Sequence, residues 1–353
     1  MAQRVPLHPE RRRPGERLRR ALGSRPALLL LMTLVLAALW LLADAQGVTA
    51  QRLLSLAVRG VLLGGILALG AIGLTLIFGV LRLPNFAHGD LMTWGAYLAL
   101  FGLAWVPAGR PLAPFSFGPE LLALLVVIVP LVGLTGYTLD RLVFRRLRAR
   151  RVPPVILAMA ALGGAFLLRS LVYLGWGADF RAFYTGRPRP AIELFAGIRV
   201  RPDQLFILGL ALLLIFLVYL LLERSKMGKA MRATADNADL ARISGIDTEG
   251  VVRWTWLIGG GLAGAGGVMY ALDTQLRPEM GWWLMLPLFA SVILGTIGNA
   301  YGALVGALII GLVWQMSTAF LNPAYGPGVA FAVLIVVLLF RPQGIFGTPG
   351  ARS

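Results

Sequence analysis

Three polar residues stand close together in an otherwise apolar stretch: Asn85, His88 and Asp90, in the run Leu81-Arg82-Leu83-Pro84-Asn85-Phe86-Ala87-His88-Gly89-Asp90. An amide, an imidazole and a carboxylate this close could hold a polar solute, relay a proton or cap a helix. Pro84 cannot continue a helix, and it pushes Leu83 into an extended conformation. Asn85 then suits the N-cap of the next helix. Asp90 falls in that helix's first turns, about 8 Å along from Asn85, where the dipole favours negative charge. A capped tight turn therefore accounts for each residue singly. It does not account for their concentration near one membrane face. An aspartate at the bilayer centre costs about 2.5–3.5 kcal/mol, less toward the interface, and such residues face a bundle interior or a watery path. Asn85, His88, Gly89 and Asp90 are read as either a structural turn or the lining of a path.

A second set lies between Glu223 and Trp254, a charged segment of about thirty residues between apolar runs. Asp236 or Asn237 can cap a short helix. Asp239 would stand at its positive end and Arg242 at its negative end. Gly245 fits the left-handed stop, and Asp247 can cap the apolar run that follows. The spacing predicts about two turns of helix with sharp ends. A simple connector could be much shorter, so this segment suits a docking partner. A third set, Gly260, Gly264 and Gly267 within Gly259–Gly267, reads as close helix packing, because small residues let helices approach in lipid.

Positioning these groups takes membrane helices. The chain is 58% hydrophobic and only 14% charged, against about 25% charged in soluble domains. Apolar runs long enough to span a bilayer occur at Ala27–Ala43, Leu56–Val80, Phe86–Val106, Gly118–Leu139, Pro154–Leu174, Leu205–Leu222, Trp254–Leu272, Trp283–Ile297, Ala303–Phe320 and Gly328–Phe340. The last three are short enough to include a re-entrant or broken helix. The expected fold is all-α, a polytopic transmembrane bundle of about 8–10 spans. Residues 1–26 form a basic cytoplasmic tail with eight arginines, 27–347 the membrane domain with 223–253 as its cytoplasmic loop, and 348–353 a C-terminal tail. Ala43-Asp44-Ala45 resembles a signal-cleavage site, but the preceding run exceeds the usual length for one; a retained first span is favoured. Alternating spans from an inside N-terminus place roughly 23 basic residues inside and about eight outside, the bias that sets orientation. Both termini are expected in the cytoplasm. The five arginines of Gly175–Gln204 run against the rule locally. No internal repeat is visible.

At this point the residues resemble a known family. Gly65-Ile66-Leu67-Ala68-Leu69-Gly70-Ala71-Ile72-Gly73-Leu74-Thr75-Leu76-Ile77-Phe78-Gly79, running into Asn85-Phe86-Ala87-His88-Gly89-Asp90 and Gly95-Ala96-Tyr97, looks like the signature of permease subunits in high-affinity branched-chain amino acid ABC transporters, in the permease type that carries the N-F-A-H-G string. Met227-Gly228-Lys229-Ala230-Met231-Arg232-Ala233, followed by Ala241 to Gly245-Ile246, is similar to that family's ATPase-docking loop, and Arg341-Pro342-Gln343-Gly344-Ile345-Phe346-Gly347 to its C-terminus. The likeness runs from about Leu54 to Gly347. Two features depart from the pattern: the long basic N-terminus, and Gly295-Thr296-Ile297-Gly298-Asn299 where a more glycine-rich string is expected. The resemblance implies an inner-membrane permease working by alternating access. Its partners would be two cytoplasmic ATPases, a second permease, usually a different chain, and a periplasmic solute-binding protein. Met227, Gly228, Ala230, Arg232, Asp239, Ala241, Gly245 and Ile246 would form the docking loop, with Ala241 sitting small in the ATPase groove and Gly245 setting the angle of the helix. The cargo would be branched-chain or related amino acids, amides or urea.

Other classes fit less well. An ion-coupled secondary transporter of small polar solutes places carboxylates deep in the bundle; here Asp90 and Glu120 read as near span ends. An intramembrane enzyme needs a nucleophile with a base, or metal ligands; the chain has no cysteine, two histidines, and neither H-E-x-x-H nor G-x-S-x-G. No cofactor, metal or nucleic acid is expected. No G-x-x-x-x-G-K-[ST] phosphate loop is present, so ATP-driven transport would take its energy from another chain.

Overall fold

The computed structural model describes residues 47–107, 109–184, 191–193 and 197–347. The basic tail, the expected first span Ala27–Ala43 and the last residues lie outside the described residues. Within them the chain is a helical bundle, with one two-stranded hairpin pairing β1 (Ile192–Glu193) and β2 (Arg199–Val200). The helices are α1 (Ala50–Leu81), α2 (His88–Trp105), α3 (Pro119–Ala149), α4 (Pro154–Trp176), α5 (Pro202–Arg224), α6 (Lys226–Asp236), α7 (Ala238–Ile243), α8 (Thr248–Asp273), α9 (Met280–Gly295), α10 (Ala300–Ser317) and α11 (Gly326–Phe340). Each of the expected spans from Leu56 onward has a helix. Local signals set many of the starts. Proline opens α3, α4 and α5, where its missing N–H costs nothing. Thr49, Asp247 and Asn299 cap α1, α8 and α10 through side-chain oxygens. A π-helical turn at Asp140–Phe144 interrupts α3; nothing in its sequence announced it.

Among the described residues, seven helices are long and apolar enough to cross a membrane. The two that fall short, α2 and α9, belong to the centre. α2 begins with polar residues, and α9 is short. The two cross at Gly89 and Gly281: a Cβ on either glycine would strike the other's backbone. Around this crossing the chain repeats itself in opposite sense. α1 lies antiparallel to α8, with Gly73 against Gly259 and Ile66 against Gly266. α3 packs on α8 at Gly133 and Gly260, as α10 packs on α1 at Leu308 and Gly64. α4 lies on α2 as α11 lies on α9. The links Arg82–Ala87 and Thr274–Glu279 correspond. The repeat lies in the order and contacts of the helices rather than in residue types, which is why the sequence does not show it.

The two membrane faces separate cleanly. On one, Arg82 Nη2 donates to Ala235 O at 3.1 Å, and Arg145 pairs with Glu249 at 3.4 Å. The C-terminal segment joins that face, with Ile345 N donating to Leu294 O. On the other, Asp203 accepts from Ser116 N and Oγ, Arg201 pairs with Asp273, Arg181 bridges to Leu276, and Arg277 lies over the Phe180 ring. Arg201, Arg181 and Arg277 thus each have a local partner on this second face.

Candidate functional site

The N-F-A-H-G segment does not lie near a membrane face. α1 ends at Arg82, whose φ is 50°, and the chain turns back. Arg82–Ala87 then climbs beside α1 as irregular backbone with a turn at Phe86-Ala87, burying Leu83, Asn85 and Ala87. His88 arrives against Gly70, its Nε2–H donating to Gly70 O at 2.9 Å. Gly70 is about 16 Å up α1 from Leu81 at 1.5 Å per residue. Ala87 touches the position of Gly164, about 15 Å up α4 from Pro154. The start of α2 is therefore close to the bilayer centre, and the connector is re-entrant. Hydropathy placed these residues at a face because it reads polarity as proximity to water. The sequence expected a re-entrant or broken element among the last three spans; the structure puts one before α2 and its counterpart, Thr274–Glu279, before α9, the first of those three.

Asn85 is not the N-cap. Ala87 holds that position and offers no side chain, while Asn85 Oδ1 accepts from Ala87 N at 3.2 Å. Two polar atoms in this buried cluster have no hydrogen-bond partner: Asn85 Nδ2 and His88 Nδ1. Because Nε2 donates to a carbonyl, Nδ1 is the bare acceptor of the ring. Gly73 gives the imidazole its room, since a Cβ there would come 3.1 Å from it.

Asp90 has a partner that sequence reasoning missed. Arg169, on α4, donates from Nε and Nη2 to the two carboxylate oxygens, both at 2.9 Å. The Arg169 side chain is 14% exposed and that of Asp90 1%. The guanidinium also lies over the rings of Phe166 and Trp282, at 5.5 and 4.9 Å from their centroids. Both charges were visible in the sequence. Their pairing was not, because 79 positions separate them. A charged pair this deep needs each other's neutralisation, and here it ties α4 to α2 with α9 alongside.

The glycines singled out in α8 all meet neighbours. Gly260 faces Gly133, Gly264 faces Val132 and lies under Gly95, and Gly267 meets the backbone of Met92. A Cβ on Gly260 would come 2.9 Å from Gly133 Cα. The run packs α8 simultaneously against α2 and α3.

The segment 223–253 folds into two helices. Ser225 caps α6, its Oγ accepting from Gly228 N at 3.0 Å. Gly228 is buried where a Cβ would strike Leu222 O. Met227 and Ala230 are half-buried and Arg232 is exposed; Arg232 Nη1 donates to Leu222 O at 2.8 Å. Sequence reasoning anticipated the shorter helix and not this eleven-residue one. Asn237 caps α7, accepting from Leu240 N at 2.9 Å. Gly245 ends the turn with φ 84°, Ile246 N donates back to Ala241 O, and Asp247 caps α8. Asp239 is almost fully exposed. Ala241 is buried at 4% exposure and faces its own chain rather than outward. The outward face of α7 carries Leu240, 57% exposed, and Ile243, 81% exposed. Beneath α6, between α1, α5 and α10, lies a cavity of ≈330 Å³ that Glu223, Arg232 and Tyr301 border. The Tyr301 hydroxyl donates to Glu223 at 2.7 Å.

Comparisons with known proteins agree with one another. The model of the family described as branched-chain amino acid transport system, permease component, matches residues 56–338. The high-affinity branched-chain amino acid transport system permease protein BraD of Pseudomonas aeruginosa is 30% identical over 298 residues, covering 83% of this chain and 95% of its own. LivH of Escherichia coli K12, named for the same kind of system, is 29% identical over 300 residues, covering 82% and 94%. A probable LivH of Methanocaldococcus jannaschii is 30% identical over 300 residues, covering 81% and 90%. No solved structure matches the chain.

Proposed function

Because the chain belongs to the family of permease components of branched-chain amino acid transport systems, we propose that it carries branched-chain or related amino acids inward across the bacterial inner membrane. Two cytoplasmic ATPases would drive it, a second permease would complete the pore, and a periplasmic binding protein would deliver the cargo. Both termini would lie in the cytoplasm. The names of the relatives support the cargo class. The face that gathers Arg82, Arg145 and the 223–253 helices supports the orientation.

The observation that carries the reading is the shape of 223–253. Two short helices are fixed by Ser225, Asn237 and Asp247 caps and stopped by Gly245. They present Leu240 and Ile243 to solvent. Exposed large apolar side chains on a rigid charged helix are a grip for another protein. Arg82 fastens the end of α6 to the start of the re-entrant connector. ATP-driven closure of the ATPases would thus pull on α6 and α7, and the pull would reach Asn85 and His88 through Arg82. Gly245 would set the angle at which α7 is offered.

The test is purification in mild detergent, with mass spectrometry of what accompanies the protein. A P-loop ATPase is expected with the unmodified chain. It should be lost in a Leu240→Ser/Ile243→Ser double variant, whose side chains are 57% and 81% exposed, and in Gly245→Asp. Recovery of the protein alone, with uptake driven by an ion gradient and indifferent to ATP, would sink the proposal.

A further inference from the structure

We propose that the cleft between α4 and α9 holds the zwitterionic end of an α-amino acid, Arg169 taking its carboxylate and Glu279 its ammonium. This rests on the importer reading above and assigns residues to its cargo.

α4 and α9 both pack on α2, and they meet each other through side chains rather than backbone, Arg169 over Trp282 and Tyr173 with Glu279. Gly89 abuts Gly281 on one side of α2. On the other side, Tyr97 meets the Trp176 ring at 5.4 Å. The result is a cleft whose floor is the first turn of α2. α4 turns one helical face to it: Phe166, Arg169, Tyr173 and Trp176, at the spacing that shares a side. The rest of α4 is almost wholly apolar, so its arginine and tyrosine are concentrated where the cleft is.

Arg169 is only partly used. Nε and Nη2 donate to Asp90, while Nη1 has no acceptor among the described residues. A guanidinium edge with free donors is suited to a carboxylate. The floor carboxylate of Asp90 holds that edge in place. One turn outward, the Tyr173 hydroxyl donates to Glu279 Oε2 at 3.1 Å. Glu279 Oε1 has no partner among the described residues, a carboxylate oxygen suited to an ammonium. Against the guanidinium stand the Phe166 and Trp282 rings, 52% and 44% exposed, which would receive an aliphatic side chain. Lipid acyl chains satisfy neither a free guanidinium edge nor an open carboxylate at this depth. A zwitterion with an apolar side chain satisfies all three surfaces at once, and the second permease would close the cleft laterally.

The chain has no cysteine, so an introduced thiol reports without background. Phe166→Cys and Trp282→Cys would be made in the full transporter in membrane vesicles, with Leu174→Cys as a lipid-facing control at 84% exposure. The probe is a charged, water-soluble thiosulfonate. The two cleft thiols should react about tenfold faster than the control, since a charged reagent needs water. Saturating L-leucine should slow them, and L-leucinamide, which lacks the carboxylate, should not. Reaction no faster than the control would place lipid in the cleft and overturn the proposal. Equal protection by the amide, or none by leucine, would overturn the Arg169 assignment. A second measurement uses Glu279→Gln in the reconstituted transporter. Leucine uptake should fall about tenfold or more, the loss of a charge-assisted bond, while ATP hydrolysis stimulated by the binding protein stays within about twofold. A parallel fall in both would make Glu279 merely structural and overturn its assignment. Failure of the importer reading would look different: the unmodified transporter itself would show no ATP-dependent uptake.

Discussion

Arg169→Met tests the buried pair most directly. The change keeps an unbranched side chain and removes the charge. It leaves Asp90, whose side chain is 1% exposed, without its two 2.9 Å donors. Removing one partner of a buried pair costs about 3–5 kcal/mol, because the remaining charge is uncompensated. Arg169 retains some exposure at 14%, so the lower half of that range is expected. At about 1.36 kcal/mol per tenfold, that shifts the unfolding equilibrium by roughly a hundredfold to a thousandfold. The double variant Asp90→Asn/Arg169→Met removes both charges and should return to within about 1 kcal/mol of the parent. Unfolding of the purified protein in mixed micelles with increasing dodecyl sulfate would measure this, read by the fluorescence of its nine tryptophans. Trp282, directly over the guanidinium, should report the loss locally as well. A single variant within about 1 kcal/mol of the parent, or a double variant as unstable as the single, would refute the claim that the two charges neutralise each other.

Gly89→Ala should cost about 1–3 kcal/mol, because its methyl meets the Gly281 carbonyl, which is backbone and cannot rotate away; Gly163→Ala, with nothing within 4 Å, should stay within about 0.5 kcal/mol in the same unfolding assay. Asn237→Ala removes the cap of α7 and should weaken that helix by about 1 kcal/mol, read as faster proteolysis within 237–245 with the bundle intact. Single thiols at Asp239 and Glu193 should label from opposite sides of the membrane, Asp239→Cys only in inverted vesicles and Glu193→Cys only in right-side-out ones; labelling from the same side would reverse the topology.

What the sequence made legible is local chemistry. Asn237, Gly245 and Asp247 announced their roles because a cap or a left-handed stop is decided within a few residues, and all three hold in the structure. Helix positions were legible for the same reason: apolar length is a property of one segment. Depth was not. His88 and Asp90 read as near a face because hydropathy assumes that polar residues seek water, whereas these seek Gly70 and Arg169. The Asp90–Arg169 pair escaped because only the packing of α2 on α4 brings its halves together. The inverted repeat escaped because the two halves share little beyond position: His88-Gly89-Asp90 answers to Met280-Gly281-Trp282, and only the glycine persists. The role given to Ala241 failed on a matter of facing. A small residue next to exposed apolar ones is as often the side turned inward, and six residues of helix are too few for periodicity to settle which.

The crossing of α2 and α9 has a mechanical side. The two helices approach most closely backbone to backbone at the glycine pair, with Thr93 Oγ1 accepting from Gly281 N at 2.9 Å beside it, so the crossing acts as a pinned fulcrum. From Gly89 to Trp105 the arm is about 24 Å, and from Gly281 to Gly295 about 21 Å. A tilt of about 10° at the fulcrum would carry either far end by about 4 Å while the centre hardly moves. A modest push at one surface could thus be felt at the other as a swing of comparable size in the opposite direction, with the buried charges riding close to the point that stays still.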